Sequence, residues 1–329
     1  MVLNRSVRYF LVEKITFIYI LITTIIIICY KSQLNNAYNL LGYRLLFVSL
    51  IVLLAYLNSI KNIWPIRLTR YAFLGGLLMY WYPETYDINR VLVSYDYILA
   101  GLEQSIFGFQ PALEFSKVYH QLWLSELLNM GYFAYYPLII GTCLFFFFTN
   151  RKYFEFFFFS ILFSFFCYYL FFILFPTVGP QYYYPAIGLN NVEAGIFPQV
   201  GHYFNENQTL LSDGNNSGFF YQMVESTQQV GERPTAAFPS SHVGVSTLIM
   251  ILIFKNRRYS LLTFVLPFYL SLVAATVYIQ AHYVIDVIAG LVTACLLYIL
   301  SSMVYNLFTR NYYGVLELSP LFHKHARKP

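Results

Sequence analysis

The stretch MVLNRSVRYFLVEKITFIYILITTIIIICYK, residues 1–31, carries an almost unbroken apolar run over residues 15–30 between basic flanks. A run of this length can cross the hydrocarbon core of a bilayer as one helix. No small-residue cleavage site follows it, so we expect a retained span and not a removed signal peptide. The whole chain has the same character, because 58% of its 329 residues are hydrophobic and only 11% are charged. This composition predicts a polytopic membrane protein.

Further apolar segments of similar length lie between clusters of charged residues. Together with the first run they predict about eight spans, and therefore an all-α, polytopic membrane helical bundle. The phenylalanine runs LFFFF and FEFFFFS are interpreted as lipid-facing or packing surface. The predicted spans cover residues 15–30, 41–60, 68–83, 127–148, 154–175, 238–254, 260–279 and 283–308.

The basic residues predict the orientation of these spans. If both ends of the chain are cytoplasmic, every predicted inner loop carries a basic cluster, as the positive-inside rule requires of short loops. The net charge of +5 is then explained without a polyanionic partner, which argues against nucleic-acid binding. Of the 20 basic residues, those left on the outer side are Lys31, Arg44, Arg90, Lys117 and Arg233.

Two long segments connect spans on the predicted outer side. Residues 84–126 alternate apolar and polar positions, so we expect an amphipathic helix along the membrane interface or the bundle. Residues 176–237 are a mixture of Gly, Asn, Ser and Pro that is typical of a loop. A loop of this length between packed spans is usually functional or disordered.

The segment HYVID places His282 and Asp286 four residues apart at the start of the last span, and therefore on one face of a helix. Asp286 is the only acidic residue predicted well inside a span, and an ionisable group there is costly enough to suggest a function. A carboxylate that binds one imidazole nitrogen leaves the other free as a base or nucleophile. A buried His–Asp pair that only ties two helices together is the structural alternative.

The segment ERPTAAFPSSHVGVS, residues 232–246, brings a second histidine to the same membrane face. His242 begins the sixth span at its outer end, where the topology also places the beginning of the eighth span. Pro239 fits the first turn of a helix, and Ser240 or Ser241 can cap it. The free N–H groups of that turn would then form an anion site.

Arg233 is the only basic residue of the second long segment and could bind a phosphate through two hydrogen bonds. The alternative is a surface arginine that pairs with Glu232. A nucleophilic imidazole, a second imidazole and an anion site together predict phosphoryl transfer.

The segments PTAAFPSSHVG and TVYIQAHYVIDVIAG resemble the second and third signature motifs of the type 2 phosphatidic acid phosphatase superfamily of membrane lipid phosphatases and phosphotransferases. The resemblance is strongest over residues 232–290. It extends from YDYILAGLEQSIFGFQPAL through LFPTVGPQYYYP in a layout similar to the branch that contains inositol phosphorylceramide synthases. It implies a six-helix catalytic core within residues 66–310, preceded by two N-terminal helices in residues 1–65 and followed by a cytoplasmic tail, 311–329.

The resemblance also implies a role for each matching residue. His282 would form a phosphohistidine, Asp286 would orient it, and His242 would protonate the leaving alcohol and later deprotonate the acceptor. No metal or other cofactor is implied, the substrates would be membrane lipids, and a partner subunit stays unknown. The active site would face the non-cytoplasmic side, a periplasm or a lumen. The residues implied to hold the phosphate oxygens are Arg233, Ser240 and Ser241.

Two positions depart from the phosphatase pattern. Thr276 stands where the third motif has an arginine. The segment VGPQYYYP, which contains Gln181, has none of the basic residues that the first motif carries. The loss of these cations disfavours a phosphomonoester dianion and favours a phosphodiester. The leading hypothesis is therefore a phosphotransferase that moves a phospho-head-group from a phospholipid to a lipid hydroxyl. The alternatives are a phosphatase acting on phosphatidate, phosphatidylglycerol phosphate or polyprenyl diphosphate, and a proton-coupled transporter.

Overall fold

Helices account for all the regular structure in the described part of the chain. The computed structural model describes residues 7–211 and 218–309, without the side chains of residues 229 and 230. Within these ranges there is no strand, which confirms the prediction of an all-α bundle. The predicted cytoplasmic tail, 311–329, lies outside the described residues. The helices are α1 (Leu11–Cys29), α2 (Ala37–Ile60), α3 (Trp64–Asn89), α4 (Asp96–Phe107), α5 (Pro111–Val118), α6 (Leu122–Phe133), α7 (Tyr135–Thr149), α8 (Arg151–Leu174), α9 (Pro180–Ile187), α10 (Leu189–Glu193), α11 (Phe219–Gly231), α12 (Ser241–Lys255), α13 (Tyr259–Tyr278) and α14 (Val284–Thr309).

Helices occupy all eight predicted span positions, but fewer than eight meet the length and apolarity of a membrane span. Among the described residues, α1, α2, α8, α13 and α14 do so, and the pair α6 and α7, bent by 45°, would make a sixth. α3 is long but carries four charged residues, and α12 has only 15 residues. The structure therefore supports a multi-pass membrane protein with five clear spans. α12 is shorter than the clear spans. Most of its residues are buried by other helices and not exposed to lipid, so its length need not match the bilayer thickness.

The two long connecting segments contain more helix than the sequence indicated. α3 continues to Asn89, and α4 and α5 follow before α6 begins at Leu122. Residues 176–237 were predicted to be a loop, but they contain α9, α10, α11 and a short 3-10 helix, Tyr203–Asn205. The prediction was wrong because these helices are mostly short. Gly179 and Gly188 flank α9, so the local composition is typical of a loop although the residues between them are helical.

α8 is the central helix of the bundle. It packs against α1, α3, α7, α12 and α14. Phe157, Phe159 and Phe172 of this helix are completely buried, so the phenylalanine-rich segment FEFFFFS is packing surface. The described helices α2, α13 and α14 instead expose most of their apolar surface.

Two buried ion pairs connect the N-terminal helices to α3. Arg70 binds the carboxylate of Glu13 with Nη2–Oε2 at 2.5 Å, and Arg44 binds Glu84 with Nη1–Oε1 at 2.6 Å and Nη2–Oε2 at 2.9 Å. Glu13 and Glu84 are therefore buried carboxylates like that of Asp286, but Glu13 lies in the first turn of α1 and Glu84 lies in α3, which is not among the clear spans. Arg44, predicted on the outer side, lies buried within α2. The pairing partners lie far apart in sequence, which is why local patterns do not reveal them.

The first turns of α12 and α14 lie against each other. The N–H group of Ser240 donates to the carbonyl oxygen of Asp286 at 3.1 Å. A Cβ atom on Gly290 would come within 2.7 Å of the Ser240 carbonyl oxygen, so a side chain there would push the helices apart. We call the end of the bundle at which α12 and α14 begin the site end.

Residues 177–181, which follow α8 and include the start of α9, bind both of the loops at the site end. Thr177 accepts hydrogen bonds from the N–H group of Ala237, at 3.1 Å to its carbonyl oxygen, and from that of Phe238, at 2.8 Å to its Oγ1. The N–H group of Gln181 donates to the carbonyl oxygen of Gln280 at 2.8 Å. The loops before α12 and α14 are thereby held to one common segment.

Asp96, at the start of α4, fixes this common segment from the other side. Its carboxylate accepts hydrogen bonds from the N–H groups of Val178 and Gly179, both at 2.8 Å, and from the hydroxyl groups of Tyr283 and Ser94. Because the side chain is completely buried, these bonds replace the lost hydration of the carboxylate. α4 is therefore a structural part of the site end.

Glu103 of α4 caps the start of α14. Its Oε1 accepts hydrogen bonds from the N–H groups of Val284, at 2.5 Å, and Ile285, at 3.4 Å. Burial raises the pKa of the Glu103 carboxyl to about 7, and the nearby Asp286 carboxylate adds to this increase. The hydrogen bonds from α14 act in the opposite direction. A carboxylate in this position also interacts favourably with the helix dipole.

Arg44 and Glu84 should each stabilise the protein only while the other is present. Because Arg44→Leu leaves the Glu84 carboxylate buried without a cation beside it, we expect it to lower the free energy of unfolding by about 3 to 5 kcal/mol. The double variant Arg44→Leu/Glu84→Leu should recover most of this loss. Thermal unfolding of the purified protein in detergent measures both changes.

The exposed pair formed by Lys117 and Glu114 is the matched control. Lys117→Ala should change stability by less than about 1 kcal/mol, because exposed ion pairs contribute little. A double variant at residues 44 and 84 that is no more stable than Arg44→Leu would contradict the interpretation.

Glu103 should make stability depend on pH. Because its folded pKa is higher than its unfolded value, its contribution is complete below about pH 4.5 and is lost as the pH rises through about 7. Glu103→Gln cannot ionise, so its melting temperature should fall less than that of the wild type between about pH 5 and pH 8. The control is Glu206→Gln, at an exposed position, which should follow the wild type. If the melting temperatures of wild type and Glu103→Gln changed equally with pH, this role of Glu103 would be refuted.

Candidate active site

The structure places the two histidines of the site end side by side. Nε2 of His282 lies 3.4 Å from Nδ1 of His242. His282 lies in the turn between α13 and α14, and His242 lies in the first turn of α12. The contact follows from the packing of α12 against α14, since 40 residues separate the two rings in sequence.

Asp286 lies on the other side of the His282 ring. Its Oδ2 is 3.4 Å from Nδ1 of His282 and accepts a hydrogen bond from the N–H group of Tyr283 at 2.9 Å. Within the described residues, Nδ1 of His282 and Oδ1 of Asp286 have no hydrogen-bond partner. A small rotation of either side chain would therefore complete the His–Asp hydrogen bond. The backbone of His282 is fixed by its N–H group, which donates to the carbonyl oxygen of Thr276 at 3.0 Å.

Burial controls the protonation of His282. The side chain is 3% exposed, and this burial lowers the pKa of the imidazole to about 4, although a hydrogen bond with the backbone of Ala237 acts in the opposite direction. The ring is therefore neutral at neutral pH. A neutral imidazole has a lone pair on one nitrogen and can act as a nucleophile.

His242 is held between two tyrosine rings. Tyr132 stacks on it with ring centroids 4.9 Å apart, and Tyr135 lies at 4.5 Å with the planes tilted by 45°. The hydroxyl group of Tyr135 also reaches the carbonyl oxygen of Ser241 at 3.4 Å. These contacts limit the rotation of the His242 ring, which keeps Nδ1 directed at His282.

The two serines have different positions at the start of α12. Ser240 is the N-cap, and its Oγ accepts a hydrogen bond from the N–H group of Val243 at 3.3 Å. Ser241 is the first helical residue, and its hydroxyl group has no hydrogen bond to the residues that the structure describes. The N–H groups of Ser241 and His242 likewise find no acceptor there. These donors lie at the positive end of the helix dipole, beside His282.

Arg233 is not brought into contact with the histidines. Its Nη1 donates to the carbonyl oxygen of Glu232 at 2.8 Å, and no ion pair with the Glu232 carboxylate is found among the described residues. That carboxylate instead accepts a hydrogen bond from the side chain of Gln181 at 2.7 Å. The surface pairing of Arg233 with Glu232 is therefore not observed, and most guanidinium donors of Arg233 stay available.

Both loops of the site contain a strained residue. Ala236 and Gln280 have φ values of 70° and 60°, in the left-handed region that non-glycine residues rarely adopt. Each lies close to a histidine in sequence, and each is next to the common segment from Thr177 to Gln181. Such conformations persist where surrounding contacts enforce them, and they are concentrated at functional sites.

The residues that support the site from α4, α6 and α7 were not predicted from the sequence. Asp96 and Glu103 are seven residues apart, so they share one helix face, and this spacing was a usable signal. Tyr132 and Tyr135 could not have been singled out, because 21% of the chain is aromatic. Their importance follows only from contact with His242.

The assembled groups are suited to nucleophilic and proton-transfer chemistry on an anion. One imidazole offers a free nitrogen, a second imidazole lies within reach to carry a proton, and unpaired helix N–H groups can bind negative charge. Within residues 7–211 and 218–309, no three His, Cys, Asp or Glu side chains are grouped closely enough to hold a metal ion.

Comparison with known proteins assigns the chain to a family. The sequence profile of the PAP2 superfamily matches residues 98–300, which include both histidines and Asp286. The matched range leaves out α1, α2 and α3. No curated protein and no solved structure gives a significant match. Since the matched range covers more than half of the chain, the protein belongs to the PAP2 superfamily, a family of phosphatases and phosphotransferases.

Proposed function

We propose that the protein is an integral-membrane lipid phosphotransferase that works through a phosphohistidine on His282. Family membership supports an enzyme that acts on phosphorylated compounds. The observation that carries the finer proposal is the pair of imidazoles, 3.4 Å apart, beside the unpaired N–H groups of α12.

In the first half of the reaction a phospholipid donates its phospho-head-group. The lone pair on Nε2 of His282 attacks phosphorus, a P–N bond forms, and the P–O bond to diacylglycerol breaks. For this step His242 must carry a proton on both ring nitrogens, one of which it gives to the departing oxygen of diacylglycerol. Burial lowers the pKa of the His242 imidazole to about 3, so we expect the negative charge of the bound phosphate to favour its protonation. Because the two ring nitrogens are in contact before substrate binds, the phosphate must displace this contact when it enters.

In the second half a lipid hydroxyl, such as that of a ceramide-like lipid, receives the head group. His242 removes the hydroxyl proton, the oxygen attacks phosphorus, and the P–N bond breaks. His282 returns to its neutral form and His242 regains the proton it gave away. Over the whole cycle neither histidine gains or loses a proton.

The remaining groups stabilise charge. The Asp286 carboxylate compensates the positive charge that His282 acquires when it is phosphorylated. The N–H groups at the start of α12, with Ser240 and Ser241, would hold the phosphate oxygens, and Arg233 would add a cation from the preceding loop. One hydrogen bond engages Nη1 of Arg233, to the Glu232 carbonyl oxygen, so the other guanidinium donors are available to a phosphate.

Two observations favour transfer over hydrolysis. Thr276 and Gln181 replace expected cations, and both side chains are already engaged in hydrogen bonds within the protein. The site therefore offers less positive charge than a phosphomonoester dianion requires. Asp286 is completely buried and His282 nearly so, which favours a lipid hydroxyl over bulk water as the acceptor.

The orientation belongs to the proposal as well. The positive-inside rule puts the site end on the non-cytoplasmic side of the membrane, a periplasm or a lumen. The division into two N-terminal helices, residues 1–65, and a catalytic domain, residues 66–310, stays a prediction.

Lipid mass analysis tests the function. The purified protein in detergent is supplied with phosphatidylinositol and ceramide, and we expect a new inositol-phosphate-bearing sphingolipid together with diacylglycerol. His282→Ala should form neither product, because the nucleophile is lost. A transporter would produce no chemical change in detergent, where no gradient exists.

His202→Ala is the matched control, since His202 is an exposed histidine that we place outside the site. It should retain wild-type turnover. Loss of a phosphomonoester lipid without a new sphingolipid would identify a phosphatase, and full turnover by folded His282→Ala would reject the catalytic assignment.

Asp286→Asn tests the role of the carboxylate. The asparagine oxygen can still accept the N–H group of Tyr283, so the local fold should persist while the negative charge is lost. We expect kcat to fall about 10²- to 10⁴-fold with a smaller change in KM, as in other His–Asp sites. Steady-state kinetics and thermal unfolding, measured together, separate this effect from a loss of folded protein. A kcat within about twofold of wild type would show that Asp286 does not support His282.

A further inference from the structure

An open cavity lies beside the candidate active site, between α5, α13 and α14. Its volume is about 740 Å³, within the range of about 300 to 1,000 Å³ that is usual for small-molecule sites. Apart from Glu114, every lining side chain is apolar or aromatic. The lining residues are Phe109, Pro111, Glu114, Phe115, Val118, Tyr119, Val273, Ala274, Val277, Val284 and Val287.

The inner wall of the cavity is adjacent to the catalytic groups. Val284 and Val287 belong to the first turn of α14, which also carries Asp286. Val287 and Val277 pack in one buried cluster with Val243, the residue that follows His242. The first turn of α14 therefore presents Asp286 to the candidate active site and the valine side chains to the cavity.

The cavity occupies a gap between two helices that face lipid. α13 and α14 each pack along α12 but make few contacts with each other. Both expose large apolar side chains on their outer surfaces, including Leu270 at 56%, Ile288 at 51% and Val292 at 55%. The apolar surface of the cavity therefore continues into the apolar surface that these helices present to the bilayer.

α5 covers the cavity as an amphipathic helix. Phe115 and Val118 line the cavity, while Lys117 forms ion pairs with Glu114 at 3.6 Å and Glu193 at 3.2 Å on the exposed edge. A helix with this division is suited to the interface between lipid and water. The cavity therefore has a polar rim at the level of the site end and an apolar interior.

We propose that this cavity binds one hydrocarbon chain of the donor phospholipid. The inference rests on the proposed function, because it places the chain of the same lipid whose phosphate reaches His282. The donor is chosen because both transfer and hydrolysis require it, whereas only transfer requires a lipid acceptor. A hydrocarbon chain fits a lining that is almost entirely apolar, which would leave most hydrogen-bonding groups of a polar ligand unsatisfied.

Chain-length dependence of turnover tests the proposal. Ala274→Trp places a large ring in the cavity and should lower kcat/KM for dipalmitoyl phosphatidylinositol about tenfold or more. A loss of contact equal to about two methylene groups is enough for a tenfold change. For dihexanoyl phosphatidylinositol, whose chains are too short to fill the cavity, the decrease should be clearly smaller. Val118→Trp fills the same space from the exposed helix α5 and should give the same pattern if Ala274→Trp folds poorly.

Val292→Trp is the matched control, because it adds the same ring to the exposed surface of α14. Its ratio of long-chain to short-chain kcat/KM should equal that of the wild type. An unchanged ratio in both cavity variants would overturn the proposal. A change that follows the chain length of the ceramide and not that of the donor would assign the cavity to the acceptor, and would overturn it equally.

Binding separates this proposal from the proposed function. In native mass measurements, His282→Ala should retain dipalmitoyl phosphatidylinositol, and the added Ala274→Trp should reduce that occupancy severalfold, whereas added Val292→Trp should not. If wild type turns over no lipid but this binding pattern holds, the proposed function fails and the cavity assignment stands. Equal occupancy in all three proteins would reject the cavity assignment.

Discussion

The backbone hydrogen bond between Ser240 and Asp286 is the contact on which the candidate site depends. It fixes the first turn of α12 against the first turn of α14, at a separation that is possible because Gly290 has no side chain. His242 follows Ser240 by two residues, and His282 precedes Asp286 by one helical turn. This contact therefore brings the two imidazoles to the same place at the site end.

Contacts from other helices keep this arrangement in place. Asp96 and Glu103 use buried carboxylates to bind backbone N–H groups of the common segment and of α14. The strained backbone of Ala236 and Gln280 indicates that the two loops are held by their surroundings. Catalysis by positioning requires such rigidity, because small displacements of reacting groups reduce the rate strongly. The hydrogen bonds that these carboxylates accept offset part of the cost of burying them.

The sequence was sufficient for the class of fold but not for its details. Long apolar runs determine membrane helices, because the bilayer leaves few other solutions for the backbone. The helices between α3 and α6, and between α8 and α12, are mostly too short to leave a clear period. The buried partners Glu13 and Arg70 lie 57 residues apart, so their contact is a property of packing. The phenylalanines of α8 could not be assigned to core or lipid, since both environments are apolar.

For the site, the sequence by itself determined what depends on local geometry. The spacing of His282 and Asp286 places them on one helix face, and the residues around Ser240 form a capped helix start whatever surrounds them. Only the tertiary structure decided that His242 meets His282 and that α4 supports both. These contacts join segments distant in the chain, and local periodicity carries no information about which helix faces will pack together. The apolar cavity beside the site has the same origin, because it is a gap between helices and not a property of any one of them.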